Sequence, residues 1–119
     1  METTLAKHII IVSKRGKIIR VGKKTMSLTG FPPDYYIGKY VSDIVHIDEK
    51  EDIIAKIMSL EPNQHFIQIC RIATANPEVF VHVESNVSVF GTKDDITEIA
   101  VLRDITERTK NERVTLEEF

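Results

Sequence analysis

The sequence predicts an α+β fold: a five-stranded antiparallel sheet with short helices and one longer helix on one face, followed by a C-terminal exit helix. Three observations lead there. Five β-type segments come as a group of two and a group of three, each joined by hairpin-length turns; the one segment with sustained helical period lies between the groups; and the last β segment runs straight into a charged, helix-prone tail. A chain of 119 residues with 42% hydrophobic content can bury one core and hardly two. The expected division is an N-terminal flank at 1–7, one folded unit at 8–106 and the start of a linker helix at 107–119.

Residues 8–12 are β-branched and apolar, Ser13-Lys14-Arg15-Gly16 is a turn, and residues 17–21 are β-branched again, which makes a hairpin. Residues 23–28 are polar apart from Met26 and Leu28 and close at Gly30, the pattern of a short helix with a glycine stop. Pro33 opens one further helical turn, and Gly38 marks its end. Asp48-Glu49-Lys50-Glu51 reads as a variant capping box, with Asp48 at the N-cap. In the helix that follows, Ile53, Ile54, Ile57, Met58 and Leu60 are expected on one buried face, and Glu61-Pro62-Asn63 ends it.

The second half is β. Val79, Val81, Val83, Val87 and Val89 keep one face of a strict alternation, with Phe80, His82, Glu84, Asn86, Ser88 and Phe90 on the other. Segments 65–73 and 96–103 flank this strand across the turns 74–78 and 91–95, giving a meander against which the first hairpin should pair. Val101-Leu102-Arg103 then meets Asp104 and Thr106, where Thr106 is placed to cap the exit helix and Glu107 to face its positive end. Beyond it, Leu102, Ile105, Thr109, Glu112, Leu116 and Phe119 continue a three-four spacing, a weak coiled-coil seam that favours a modest dimer.

Composition excludes several classes. With 16 basic and 18 acidic residues the net charge is −2, and no Lys/Arg cluster with interleaved aromatics marks a nucleic-acid face. The run Ile9-Ile10-Ile11-Val12 is too short to span a bilayer, so no membrane segment is expected in this fragment. One cysteine, Cys70, leaves no disulfide or thiol pair, which fits a reducing, cytoplasmic setting. His8, His46, His65 and His82 share no metal-site spacing, so no metal is expected. A small acid–base enzyme built on His46 and Asp48, or on His82 and Glu84, is the competing class, yet nothing supplies a nucleophile, phosphate loop or metal cage.

Taken in order, several short motifs resemble those of PAS domains, the sensor modules of signalling proteins. They are Ser13-Lys14-Arg15-Gly16-Lys17-Ile18, Leu28-Thr29-Gly30-Phe31, Ile37-Gly38-Lys39, Ile44-Val45-His46-Ile47-Asp48 and the ending Asp104-Ile105-Thr106-Glu107-Arg108. The chain departs from the family pattern at Gly22 and Lys24, where Asn and Ala are frequent, at Ile47 in place of a proline, and at Ala75-Asn76-Pro77 in place of Asp-Gly. The resemblance implies a signal-sensing and relay domain that binds a small ligand or partner between sheet and helices and passes a change to an effector such as a histidine kinase or a cyclic-nucleotide enzyme. The alternative it leaves open is a ligand-free dimerising module.

Against that family, cofactors can be weighed residue by residue. Residues 40–45 contain no cysteine, which disfavours a covalent flavin, and residues 50–60 contain no histidine, which disfavours haem. Candidate ligand residues are Met26, Tyr36, Ile44, Ile57, Cys70, Val83 and Ser85; Ser85 stands out as a hydroxyl that interrupts the inward valine stripe. Tyr35, Tyr36 and Tyr40 are expected near the cavity mouth. Asp104, Thr106 and Arg108 are the candidate relay, with Asp104 expected to hold the strand end by hydrogen bonds or an ion pair to Arg103 or Arg108.

Overall fold

A computed structural model describes residues 8–106. β1 (His8–Lys14) and β2 (Lys17–Val21) form the first hairpin, in antiparallel register from Ile11↔Val21 to Lys14↔Lys17. The connection is only two residues long, and both take positive φ, Arg15 at 41° and Gly16 at 84°. That pair of angles matches the right-handed twist of the flanking strands, and glycine supplies the second at no steric cost.

Three helices and a short 3-10 turn (Val41–Asp43) follow. α1 (Thr25–Thr29) starts two residues later than the sequence suggested but stops as expected, at Gly30 in the left-handed conformation with its N–H donating to the Met26 carbonyl at 2.9 Å. α2 (Pro33–Tyr36) is the single turn opened by Pro33. α3 (Ile47–Met58) is the long helix, and its start corrects the capping-box expectation. His46, not Asp48, is the N-cap, because the chain is already pinned just upstream: Val45 bridges Ile72 and the His46 N–H donates to the Arg71 carbonyl at 2.9 Å. Asp48 and Glu49 instead fill the first turn, where their charge faces the positive end of the helix.

The buried face of α3 is narrower than expected. Ile53, Ile57 and, just past the helix, Leu60 turn inward, whereas Ile54 and Met58 are 42% and 71% exposed. A straight helix on a twisted sheet touches it along one i, i+4, i+7 row, and the flanking apolar positions swing to solvent. Burying an Ile or Leu of that row contributes about 1.5–3 kcal/mol relative to exposure, which offsets the ordering of the segment.

β3 (His65–Ala73), β4 (Phe80–Thr92) and β5 (Asp95–Asp104) form the meander, and the sheet order is β2-β1-β5-β4-β3, antiparallel throughout. Strand pairing runs further than expected at the β4–β5 end, leaving only Lys93 and Asp94 between the strands. At the other end Val79 lies outside β4 and is exposed, its N–H spent on the Asn76 carbonyl inside the preceding turn. From Val81 to Val89 the alternation holds, with Val81, Val83, Ser85, Val87 and Val89 all buried. The core falls into two clusters. The larger gathers Ile9, Ile11, Ile18, Tyr36, Ile44, Ile53, Cys70, Ile72 and Val83; the smaller holds Leu60, Val87, Val89 and Ile96.

Candidate functional site

A cavity of about 80 Å³ lies between the inner face of the sheet and α3, and its wall draws side chains from both core clusters. It sits where one core fails to close into a single mass. The helix contributes Ile53, Lys56 and Ile57; β3 contributes Phe66, Gln68 and Cys70; β4 contributes Ser85 and Val87. Lys56 Nζ rests 4.3 Å above the Phe66 ring, so a charged, amphipathic side chain covers one side of an otherwise apolar wall.

Ser85 and Gln68 are the unspent polar groups. They face each other in the β3–β4 register, both line the cavity, and neither side chain makes a hydrogen bond to the described residues. Ser85 is 7% exposed and lines the cavity, where its hydroxyl is available to a polar group placed there. Cys70 also lines the wall; burial pushes its thiol up to about 12, with the nearby Glu49 charge adding to the effect. At neutral pH it is a protonated, small hydrophobe and a poor nucleophile.

Of the seven candidate ligand residues, the structure brings Ile44, Ile57, Cys70 and Ser85 to the cavity wall. It places the other three elsewhere. Met26 is 55% exposed on α1, and Val83 is wholly enclosed by the larger core cluster. Tyr36 is buried rather than at a mouth, and its hydroxyl lies 2.5 Å from Thr29 Oγ1. Because Thr29 Oγ1 donates onward to the Thr25 carbonyl at 3.1 Å, Tyr36 is the donor, and burial raises its phenol above the ordinary range. Tyr35 stacks on Phe31 at 3.7 Å and, like Tyr40, remains partly exposed.

The sequence reading missed Glu98. This carboxylate is 5% exposed and lines the cavity, with Oε1 accepting from the Ser13 hydroxyl at 3.0 Å and the Gly16 N–H at 2.6 Å, and Oε2 accepting from the Arg15 N–H at 2.9 Å. It therefore ties the β1–β2 turn to the middle of the sheet. The signal was present: Glu98 is in phase with Ile96, Ala100 and Leu102, a charge on the inward beat of a strand.

The relay end departs from expectation in two ways. Arg103 pairs with Glu84 across the strands at 3.0 Å rather than with Asp104, and Arg108 lies outside the described residues, as do the exit helix and its seam from Thr109 onward; the first two seam positions, Leu102 and Ile105, are buried within the domain. Asp104 Oδ1 accepts the Thr106 N–H at 2.9 Å, a local turn. Thr106 Oγ1 is spent not on a helix but on β4, where it accepts the His82 N–H at 3.1 Å, while the Ile105 N–H donates to the His82 carbonyl at 2.8 Å. The end of β5 is thus stitched to one residue of β4.

His82 Nδ1 is buried with no hydrogen-bond partner among the described residues, and Glu84 is engaged by Arg103, so the pair lacks the geometry of an acid–base couple. Among the described residues no group of three or more His, Cys, Asp or Glu is placed to hold a metal ion, and no helix is long and apolar enough to cross a membrane.

The five-stranded antiparallel sheet with its short helices agrees with what comparison with known proteins finds. The family model described as PAS domain matches residues 7–107. The chain belongs to the PAS domain family. Among solved structures, this PAS domain superposes on the PAS domain of an HTR-like protein from Haloarcula marismortui with a TM-score of 0.72 at 16% identity, covering 82% of this chain and 81% of that one. The PAS domain of a protein from Colwellia psychrerythraea gives 0.71 at 21% identity, over 84% and 87% of the two chains. The N-terminal domain of a diguanylate cyclase with PAS/PAC sensor from Marinobacter aquaeolei gives 0.71 at 15%, over 87% and 99%. No curated protein matches the chain. At these identities the structural likeness speaks for the fold, and the family is one of sensor modules found in signalling proteins.

Proposed function

We propose that this PAS domain binds a small, mostly apolar molecule with one polar end and relays its presence through β4 and β5 to an effector domain C-terminal to it. The observation that carries the reading is the Ser85–Gln68 pair, two polar side chains that make no hydrogen bond among the described residues, on a mostly apolar cavity wall. A ligand group that both donates and accepts would satisfy them, and the apolar wall would hold the rest of the molecule. Ile44, Ile57 and Cys70 are the proposed apolar contacts, with Asp104, Thr106 and Arg108 as the relay. The path is short: Ser85 pairs with Leu102 on β5, and three residues before Ser85 on the same strand His82 holds Ile105 and Thr106.

A histidine kinase or a cyclic-nucleotide enzyme is the effector class this reading favours, in a cytoplasmic setting that fits the single cysteine. Self-association through the outer sheet face is favoured by Ile10, Ile67 and Ile69, which are 48%, 57% and 55% exposed. Native mass spectrometry of freshly purified protein tests the ligand directly. A retained mass that disappears in Ser85→Val is expected; a spectrum showing only the bare chain, with no thermal shift from any member of a small-molecule library, would reduce the domain to a ligand-free interaction module.

A further inference from the structure

α3 begins on a contact that exists in only one charge state of a histidine. His46 is its N-cap, and the ring Nδ1 accepts the Asp48 N–H at 3.0 Å. An imidazole nitrogen accepts that bond only while it carries no proton. The same Nδ1 lies 3.6 Å from Asp48 Oδ2 and 3.7 Å from Glu49 Oε2. Glu49 Oε2 is buried with no hydrogen-bond partner among the described residues, whereas its Oε1 accepts from Arg71 Nε at 2.8 Å. The neutral ring therefore satisfies the helix and leaves a carboxylate oxygen unmet.

We propose that His46 is a proton-operated switch of the α3 N-terminus. Once Nδ1 gains a proton, two N–H donors face each other and the cap is lost, while the new donor finds Glu49 Oε2 within a small ring movement. The surrounding charges favour this exchange. On α3 the ring faces Asp48 and Glu49; from β3 it faces Arg71, which also reaches Asp48 at 3.4 Å. Two negative charges and one positive leave −2 + 1 = −1, which one proton on His46 balances. Lys50 and Asp43, paired at 3.4 Å, cancel each other; β4 contributes the uncharged Phe80 ring at 4.6 Å, with His82, the register partner of Arg71, two residues along it; and the Cys70 thiol on β3 stays protonated. Histidine is the side chain whose ordinary charge change lies within the range that cells visit.

The consequence reaches the cavity, because Ile53 and Ile57 of the same helix line it. This coupling rests on the ligand reading above; the switch at the helix start does not.

Nuclear magnetic resonance on the ligand-free chain between about pH 5 and 8 is the test. The His46 ring nitrogens should pass from one protonated site to two, and the Asp48 amide should lose protection about fivefold over the same midpoint, the loss expected for a missing cap. His46→Asn, whose side chain can cap without titrating, should keep Asp48 protection constant. Glu49→Gln should move the His46 midpoint to lower pH. Constant Asp48 protection through the His46 titration, or a response that survives in His46→Asn, would overturn the switch. Should His46→Asn fold poorly, the wild-type titration still decides, since ring and amide are read in one sample. A cavity that binds nothing leaves every one of these readouts intact, so the two readings fail separately.

Discussion

The two ends of β5 are fastened by opposite means. Near its start, Glu98 buries a carboxylate and gathers three donors from a turn more than eighty residues earlier in the chain. At its end, the exposed Asp104 side chain bonds only two residues ahead, Arg103 pairs with Glu84 across the strands, and the two residues just past the strand are held by His82. A buried charge satisfied by neutral donors is costly to disturb, because every partner is left unmet at once. An exposed turn exchanges its bonds with water at little cost. One end of the strand is thus a fixed point, and the other ends in a turn whose side-chain bond water can replace.

That contrast gives a ranked set of expected outcomes. The largest belongs to Glu98→Ala, which strips the acceptor from Ser13, Arg15 and Gly16 and should cost about 4 kcal/mol in urea unfolding, with Glu98→Gln recovering part of it. A loss under about 1 kcal/mol would mean that water replaces the carboxylate and that the fixed point is no such thing.

Next comes Cys70, on the wall between the two ends. Its folded thiol is pushed up to about 12 from an ordinary 9.0, so its contribution is complete below pH 9 and drains away as pH rises toward 12. Between pH 8 and 10 this should remove roughly 1 kcal/mol that Cys70→Ala does not show in its own pH profile. Alkylation by iodoacetamide at neutral pH should be correspondingly slow in the folded chain and fast in urea.

Thr106→Val keeps the shape but withdraws the acceptor of the His82 N–H, and should cost about 1 kcal/mol. Asp104→Ala should cost least, about 0.5 kcal/mol, since water can take over at an exposed turn. If Asp104→Ala proved as damaging as Glu98→Ala, the two ends would be equivalent and the comparison would collapse.

Much of this was legible before any coordinates. The valine stripe of β4 announced its own buried face because a period of two is unambiguous over so long a run, and the hairpin turns fixed an antiparallel sheet. What sequence could not reach were choices made by the tertiary frame. Asp48 and His46 are both plausible caps by type; the bridge from Val45 to Ile72 decided between them. Ile54 and Met58 satisfy helical spacing as well as Ile53 does, and only the angle at which α3 meets the sheet turns them out. Of the candidate ligand residues, Cys70 and Ser85 on inward strand positions, Ile57 on the inward row of α3, and Ile44 reached the cavity wall, whereas Val83, equally inward, is closed into the core and Met26 lies on a short exposed helix. Glu98 was passed over because a carboxylate is assumed to seek water, when its phase along β5 said otherwise.

The last strand to be made is also the middle one. β5 lies between β1 and β4, so the β1–β2 and β3–β4 hairpins share no sheet until it arrives. On the ribosome, then, the two hairpins wait as unlinked pieces, and the sheet closes only after residue 104 has cleared the exit tunnel, a late, long-range step of the kind that sets slow folding. A polypeptide cut short at the β4–β5 turn would lose not one strand of five but the seam that makes the other four a single body.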